Sequence, residues 1–450
     1  MRRLLIVDHV MSAGGVERVL HGLIGALIEL PEAREWDITL LLARHNSAGL
    51  RCEWPSALVA PNVHVEWLGE RTRLGRTLNS LVTPRRSLAA RLPFLALRRL
   101  GPRVWRARAG DPGPCIAEVC ERFDVAYFTW PLGMAVPRVA IPVVTTPADF
   151  NFKHFLGKAD PVRWVTERHM KAWLARADRL LLTSESVRDE LRQYYPEHAG
   201  RTEVVRLGVD AVARPPSAEA LDAVRRTRNL PDRFVLMAGW VAPHKNQLAL
   251  IEAMSALRSH GTSVPVVFVG PNAEKLGSSV PASGWARPYV EQVRSTLGRL
   301  GFVHGRDYHA LGFVSDDELE CLYRLASAFV LPSLYEGFGL PGLEAMRAGC
   351  PTLLAAIPPL REQDHLLGGV ARMFDPRDSA ALARELESVL GDRPGALAQA
   401  ALAADRVPRV FDWRKTARAY LRVFAEAMDR PRRAPRPASG VARSPRATAR

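Results

Sequence analysis

The sequence predicts an α/β protein made of two doubly wound parallel-sheet domains facing one another across a cleft. Three observations carry that expectation. Short apolar runs alternate with amphipathic helical stretches through both halves of the chain, the pattern of parallel strands joined by helical crossovers. Its 450 residues are too many for one ordinary core. A polar stretch, VARPPSAEALDAVRRTRNLPDR, separates the two alternations.

In the first half, strands are expected at residues 4–7, 38–42, 63–67, 125–129, 143–146, 180–183 and 204–207. Between the first two, Val16, Val19, Leu20, Leu23, Ile24, Leu27 and Ile28 recur at helical spacing. They make one apolar face of a helix. In the second half the expected strands are 234–238, 266–269, 308–311, 328–331, 352–355 and 371–374, with clear helices at 248–257 and 317–326. The boundaries that follow are a first domain at 1–210, a linker at 211–231 and a second domain at 232–405. A terminal helix at 406–428 and a tail at 429–450 complete the chain. Ligands of such sheets bind beyond the carboxyl ends of the strands, so the active site is expected in the cleft.

Composition narrows the class. Hydrophobic residues make up 47% and charged residues 24%, the balance of a soluble globular protein. Asp8 and His9 interrupt the first apolar run before a signal-peptide core could form. No apolar stretch approaches the roughly 18 residues of a membrane span, so any membrane contact should be peripheral. Five cysteines, Cys52, Cys115, Cys120, Cys321 and Cys350, have neither zinc nor disulfide spacing, which fits a reducing cytoplasm. The net charge of +15 is concentrated in two places. Residues 71–108, inside an expected insertion at 71–110, hold eleven arginines and no Asp, Glu or Lys. The tail from 430 to 450 adds seven arginines among Pro, Ala and Ser and has too little apolar surface to fold.

The most informative stretch is SLYEGFGLPGLEAMRAG, residues 333–349. Pro332 closes the apolar strand before it. Gly337 and Gly339 allow a tight loop without side chains, Pro341 suits a first helical turn, and Gly349 suits its end. A strand, a glycine loop and a helix in that order make a seat for a diphosphate, because free N–H groups and the positive end of the dipole face it. Glu336 precedes the loop and Glu344 is expected in the helix's first turn. Carboxylates on either side of a diphosphate suit a sugar at one end and a ribose at the other. By spacing alone, a surface acid and a helix-dipole partner would look the same.

The run LGFVSDDELECLYRLASAFVLPSLYEGFGLPGLEAMRAGCPTLLA, residues 311–355, resembles the retaining nucleotide-sugar glycosyltransferases of family 4, which have the GT-B fold. Its two glutamates, with seven residues between them, are that family's most recognisable feature. The resemblance implies that Glu336 contacts the transferred sugar, that Gly337, Phe338, Gly339 and Leu340 hold sugar and diphosphate through their amides, and that Glu344 binds the ribose hydroxyls. In GWVAPHKN, residues 239–246, Lys245 matches a lysine that neutralises the leaving diphosphate. Trp240 stands where an Arg or Thr is common. Gly14 and Gly15, in MSAGGVERVL, match the family's Gly-Gly-x-Glu-Arg entry to the first helix, which faces donor phosphates and acceptor. Glu17 there also reads as a first-turn dipole partner. In TPADFNFKHFLG, Asp149 and His154 match acceptor-side positions. The usual His-Asp pair is replaced by Ala148-Asp149, so which of the two residues touches sugar or acceptor stays open, as does a structural role for His154. SESVRDEL and RLGVD resemble the segments that close the first domain, with Arg206 where proline is common. FDWRKTARAYLRVFAEA resembles the terminal helix that packs back on the first domain.

The implied first domain binds acceptor and the second binds the nucleotide sugar. The implied activity is transfer of a glycosyl group from a nucleoside diphosphate sugar to a hydroxyl acceptor with retention, in polysaccharide or glycolipid assembly. No metal-binding motif stands at the site, so neither metal nor cofactor is expected. The Arg-rich insertion, with Leu92, Phe94, Leu97 and Trp105, suits an anionic membrane or a lipid-linked acceptor at the cytoplasmic face. A solvated insertion reads equally well. The alternative function is a catalytically inactive protein of this fold that binds membrane or nucleic acid through its basic segments. No specific nucleic acid is expected, because no RNA-binding aromatic motif accompanies them.

Overall fold

The computed structural model describes residues 1–8, 15–43, 54–55, 58–68, 113–132, 134, 136–209, 215–278 and 286–429. Gly14, the insertion expected at 71–110 and the tail beyond residue 429 lie outside the described residues.

The first sheet contains β1 (Arg2–Asp8), β2 (Trp36–Ala43), β3 (Val63–Leu68), β4 (Val125–Phe128), β5 (Val143–Thr145), β6 (Arg179–Leu182) and β7 (Thr202–Val204). Their order is β3-β2-β1-β4-β5-β6-β7 and every pairing is parallel. The second sheet contains β8 (Val235–Ala238), β9 (Val266–Val269), β10 (Tyr308–Gly312), β11 (Ala328–Leu331), β12 (Thr352–Ala355) and β13 (Arg372–Phe374), in the order β10-β9-β8-β11-β12-β13, again all parallel. Both orders reverse beside their first strand, between β1 and β4 and between β8 and β11. At such a switch point the flanking connections diverge to opposite faces and leave a crevice.

Burial on both faces explains the continuous apolar runs. In β1, Leu4 and Ile6 join one core while Leu5 and Val7 join another, as successive side chains of a strand point to opposite sides. Six helices matter for the site: α1 (Gly15–Glu29), α2 (Glu185–Tyr194), α3 (Asp316–Leu325), α4 (Leu340–Arg347), α5 (Pro358–Leu366) and α6 (Trp413–Met428). The expected face of α1 is buried at Leu20, Leu23, Ile24 and Leu27. Helix α6 lies on the first sheet, with the Tyr420 and Phe424 rings each 5.4 Å from that of Tyr127. Its first residue, Trp413, fills the space a Cβ would need at Gly22 and at Gly208. The two glycines thus admit the indole.

The strand expected at 204–207 forms earlier, at Thr202–Val204. Val205 and Leu207 are buried, which made them read as strand, but only the Val205 N–H continues the contact, to the Leu182 carbonyl at 2.8 Å.

Candidate active site

The two domains enclose a cavity of about 680 Å³. Thr129 and Trp130 after β4, Asp149 after β5, Gly239 and Lys245 after β8, and the loop from Glu336 after β11 all line it.

Local backbone chemistry sets Lys245 against Glu336. After β8 the chain makes a short helical turn at Pro243–Lys245, and Asn246 leaves it in the left-handed region, at φ 59. Asn tolerates that conformation better than most residues. Its side-chain amide then donates to the Pro332 carbonyl at 3.0 Å and the Pro376 carbonyl at 2.8 Å. The Leu334 N–H donates to the His244 carbonyl at 2.8 Å. These bonds stitch the β8 loop to the β11 loop, and Lys245 Nζ meets Glu336 Oε1 at 2.6 Å. Ser333 Oγ donates to the same oxygen at 2.7 Å. Both members of the ion pair are largely buried. Burial and the Lys245 charge hold the neighbouring His244 imidazole down to about 4, so it is neutral at pH 7.

The glycine loop is shaped by the opposite domain. A Cβ at Gly337 would overlap the Ala148 carbonyl oxygen. The Gly337 carbonyl accepts from Thr183 Oγ1 at 3.2 Å and Ser184 Oγ at 2.8 Å, while Ser184 also caps α2. Gly339, at φ 97, starts α4 without any side-chain cap. The polar start of α4 and the Lys245 ammonium therefore line one cavity, an arrangement suited to an anion.

Glu344 sits differently from the expectation. Helix α4 begins at Leu340 and has no acid in its first turn, so Glu344 lies one turn further along and the dipole reading loses its basis. Its carboxylate is occupied: Arg18 Nη1 lies 2.8 Å from both oxygens and Tyr323 Oη donates to Oε2 at 3.0 Å. Arg18 also reaches Asp316 Oδ1, through Nη2 at 2.9 Å and Nε at 3.2 Å. Burial works against the Arg18 charge, yet Glu344, Tyr323 and Asp316 together hold its pKa above the ordinary value.

Asp149 faces the cavity, with its carboxylate accepting from the Asn151 N–H at 3.1 Å. Enclosure, then the nearby Glu190 and Glu336 charges, push this carboxyl up to about 6. His154 is not brought to the same cavity. Its Nε2 bonds Glu190, its ring lies 4.8 Å from that of Tyr335, and it lines a neighbouring cavity of about 590 Å³ that shares Glu336 with the first. Tyr335 Oη donates to Glu190 at 2.6 Å and accepts from the Phe150 N–H at 2.8 Å, so the residue before Glu336 is anchored to the other domain. Gly15 is the first residue of α1.

Sequence reasoning did not single out Arg18, Tyr323, Ser333 or Glu190. Arg18 carried a signal, as the Arg of the Gly-Gly-x-Glu-Arg segment; the others carried none. Two exposed aromatics, Trp240 and Phe313, also line the main cavity. Among the described residues no group of three His, Cys, Asp or Glu is placed to hold a metal ion, and no helix is long and apolar enough to cross a membrane.

Two doubly wound domains with a cation and a glycine loop between them define a GT-B protein. Comparison with known families gives a match to "Glycosyl transferases group 1" over residues 220–404 and to "Glycosyltransferase Family 4" over residues 13–212. The chain belongs to the group 1, family 4 glycosyltransferases. It is 32% identical over 265 residues to the serotype-specific mannosyltransferase WbdA of Escherichia coli, covering 56% of this chain and 29% of that protein. It is also 32% identical over 272 residues to the D-inositol 3-phosphate glycosyltransferase of Salinispora tropica, covering 57% and 52%. The chain thus spans between about a quarter and a half of these two relatives. Anabaena HepE, solved in complex with UDP-glucose, has the same fold, with a TM-score of 0.66 at 17% identity over 95% of this chain and 100% of that one.

Proposed function

We propose that the protein transfers a glycosyl group from a nucleoside diphosphate sugar to a hydroxyl acceptor, with retention at the anomeric carbon. One observation carries the reading: the Lys245–Glu336 pair stands in the interdomain cavity beside the uncapped start of α4. The principal barrier to such a transfer is charge building on the departing diphosphate as the sugar becomes oxocarbenium-like. Lys245 and the amides of Gly337 to Leu340 offset that charge. Glu336 orients the sugar hydroxyls, and Glu344 receives the ribose. Asp149 stands on the acceptor side of the cavity. His154 acts through Glu190 and Tyr335 as a positioning residue for the loop that bears Glu336.

The mannosyltransferase and inositol-phosphate relatives support sugar transfer to a hydroxyl-bearing acceptor, the HepE complex supports a nucleotide-sugar donor, and the role we propose is in polysaccharide or glycolipid assembly. A cytoplasmic protein touching the membrane through its Arg-rich insertion would meet a lipid-linked acceptor there. Calorimetry with UDP, GDP, ADP and their sugar conjugates on wild type and Lys245→Ala tests the donor assignment. Selective binding weakened in the variant is expected, and no binding of any nucleotide would overturn it. The anomeric configuration of the product, read by NMR, tests retention.

A further inference from the structure

Arg18 comes from the first domain and Glu344 from the second, 326 residues later. A carboxylate oxygen accepts about two hydrogen bonds. Glu344 Oε2 already has two, from Arg18 Nη1 and Tyr323, while Oε1 has one, from Arg18. A vicinal diol bound with one hydroxyl on each oxygen needs a free position on both. The diol can therefore be seated only if Arg18 or Tyr323 gives up its bond to Oε2. Arg18, a quarter exposed beside the cavity, is the one with somewhere to go, since Tyr323 is buried.

The released Nη1 group needs another acceptor, since Arg18 faces a partly enclosed cavity with a quarter of its side chain exposed. Asp316 holds the Nε and Nη2 edge and remains, being 72% exposed and already paired. Nη1 is the group set free. The cavity it lines also contains Lys245 and the start of α4, where the diphosphate would lie. Guanidinium forks bind phosphate oxygens well.

We propose that Arg18 is a donor-exchange residue: it holds Glu344 while the site is empty and passes that carboxylate to the ribose diol of a nucleoside diphosphate, taking a phosphate oxygen in return. The exchange rests on the reading that Glu344 receives the ribose. It would make this tie between the domains change partners only for a ligand that carries both a diol and a diphosphate. A nucleotide lacking the diol would leave the latch on Glu344, and one lacking the second phosphate would offer Nη1 nothing in exchange.

The test is titration calorimetry of the full chain with UDP, GDP and ADP, their 2′,3′-dideoxy counterparts, and UMP, GMP and AMP. Wild type, Arg18→Gln and Arg18→Lys are compared, with thermal melts to confirm folding. In wild type the diol should contribute little, because it must displace Arg18. In Arg18→Gln the ratio of dideoxy to ribo dissociation constants should rise about tenfold, the worth of one hydrogen bond to a charged group. The preference for diphosphate over monophosphate should fall by a similar factor. Arg18→Lys, with one point charge and no fork, should fall between the two. A diol ratio unchanged by Arg18→Gln in a protein that still binds nucleotide would overturn the exchange alone. Failure of wild type and variants to bind any nucleotide would overturn the donor reading and the exchange with it.

Discussion

Lys245 Nζ lies 2.6 Å from Glu336 Oε1 at the junction of two loops that are 91 residues apart in sequence. Each charge is stabilised by the other and, for the carboxylate, by Ser333. An isolated charge left in such a place is costly, because a partner removed from a buried pair leaves its mate without compensation. Lys245→Ala should therefore lower stability as well as activity. We expect turnover to fall by about 10²–10³, the usual effect of deleting one group that stabilises transition-state charge. Donor turnover and thermal midpoint, measured on the same preparations, check both parts. A fall in the midpoint with full turnover would contradict a role in catalysis.

Asp149 should make stability depend on pH in the unusual direction. Its folded value, about 6, stands above the ordinary carboxylate value. Between about pH 4 and 6 the folded protein keeps a proton that the unfolded chain has lost, so this residue's contribution falls as pH rises and is a constant cost above that window. Asp149→Asn should remove the slope and raise stability at pH 7 by on the order of 2 kcal/mol. Urea unfolding of both proteins at pH 4, 5, 6 and 7 measures it. Parallel curves across the window would refute the assignment. An accompanying loss of transfer would show that the carboxylate serves the reaction as well.

The parts of this site that could be read from sequence are those determined locally. The strand before Pro332, the loop at Gly337 and Gly339 and the helix after Pro341 follow from residue types within one short stretch, and all are present. Lys245 was legible for the same reason, as it follows a strand and precedes a helix. Long-range partners were not. That Glu344 is gripped by Arg18, and that His154 turns toward Glu190 and Tyr335, depends on how two domains meet. Gly337 was read as room for phosphate. The structure adds a second reason, the Ala148 carbonyl pressed against it.

Arg206 occupies a position where the resemblance leads one to expect proline, and it makes a cross-domain ion pair instead. Its Nε lies 2.7 Å from Glu362 Oε1 on α5, while Glu362 Oε2 accepts from the Glu185 N–H at 2.9 Å. Glu362 thereby ties the start of α2 and the end of the first domain to the second domain. Glu362→Ala removes both bonds and should cost about 1–3 kcal/mol, the penalty for unpaired polar groups that are partly buried. It should also widen the distribution of interdomain distances seen by small-angle scattering. An unchanged scattering profile with lowered stability would mean that the pair supports the fold without setting the domain angle.

Gly337→Ala tests the contact between the glycine loop and the first domain directly. The new methyl would overlap the Ala148 carbonyl oxygen, and this neighbour is backbone and cannot rotate away. Either the loop or the domain must move. Movement of the loop would strain the bonds from Thr183 and Ser184 to the Gly337 carbonyl, and movement of the domain would separate Asp149 from Glu336 across the cavity. We expect a loss of about 1–3 kcal/mol, typical of an overpacked site, together with at least a tenfold weaker affinity for the donor, which is the effect of about 1.4 kcal/mol. Gly349→Ala is the control for simple glycine loss, since Gly349 has open space around its Cβ position and only its φ of 75 to penalise a side chain. It should lower stability while leaving donor affinity intact. If both variants weakened donor binding equally, the effect would be one of general stability, and the contact at Ala148 would have no separate part in shaping the site.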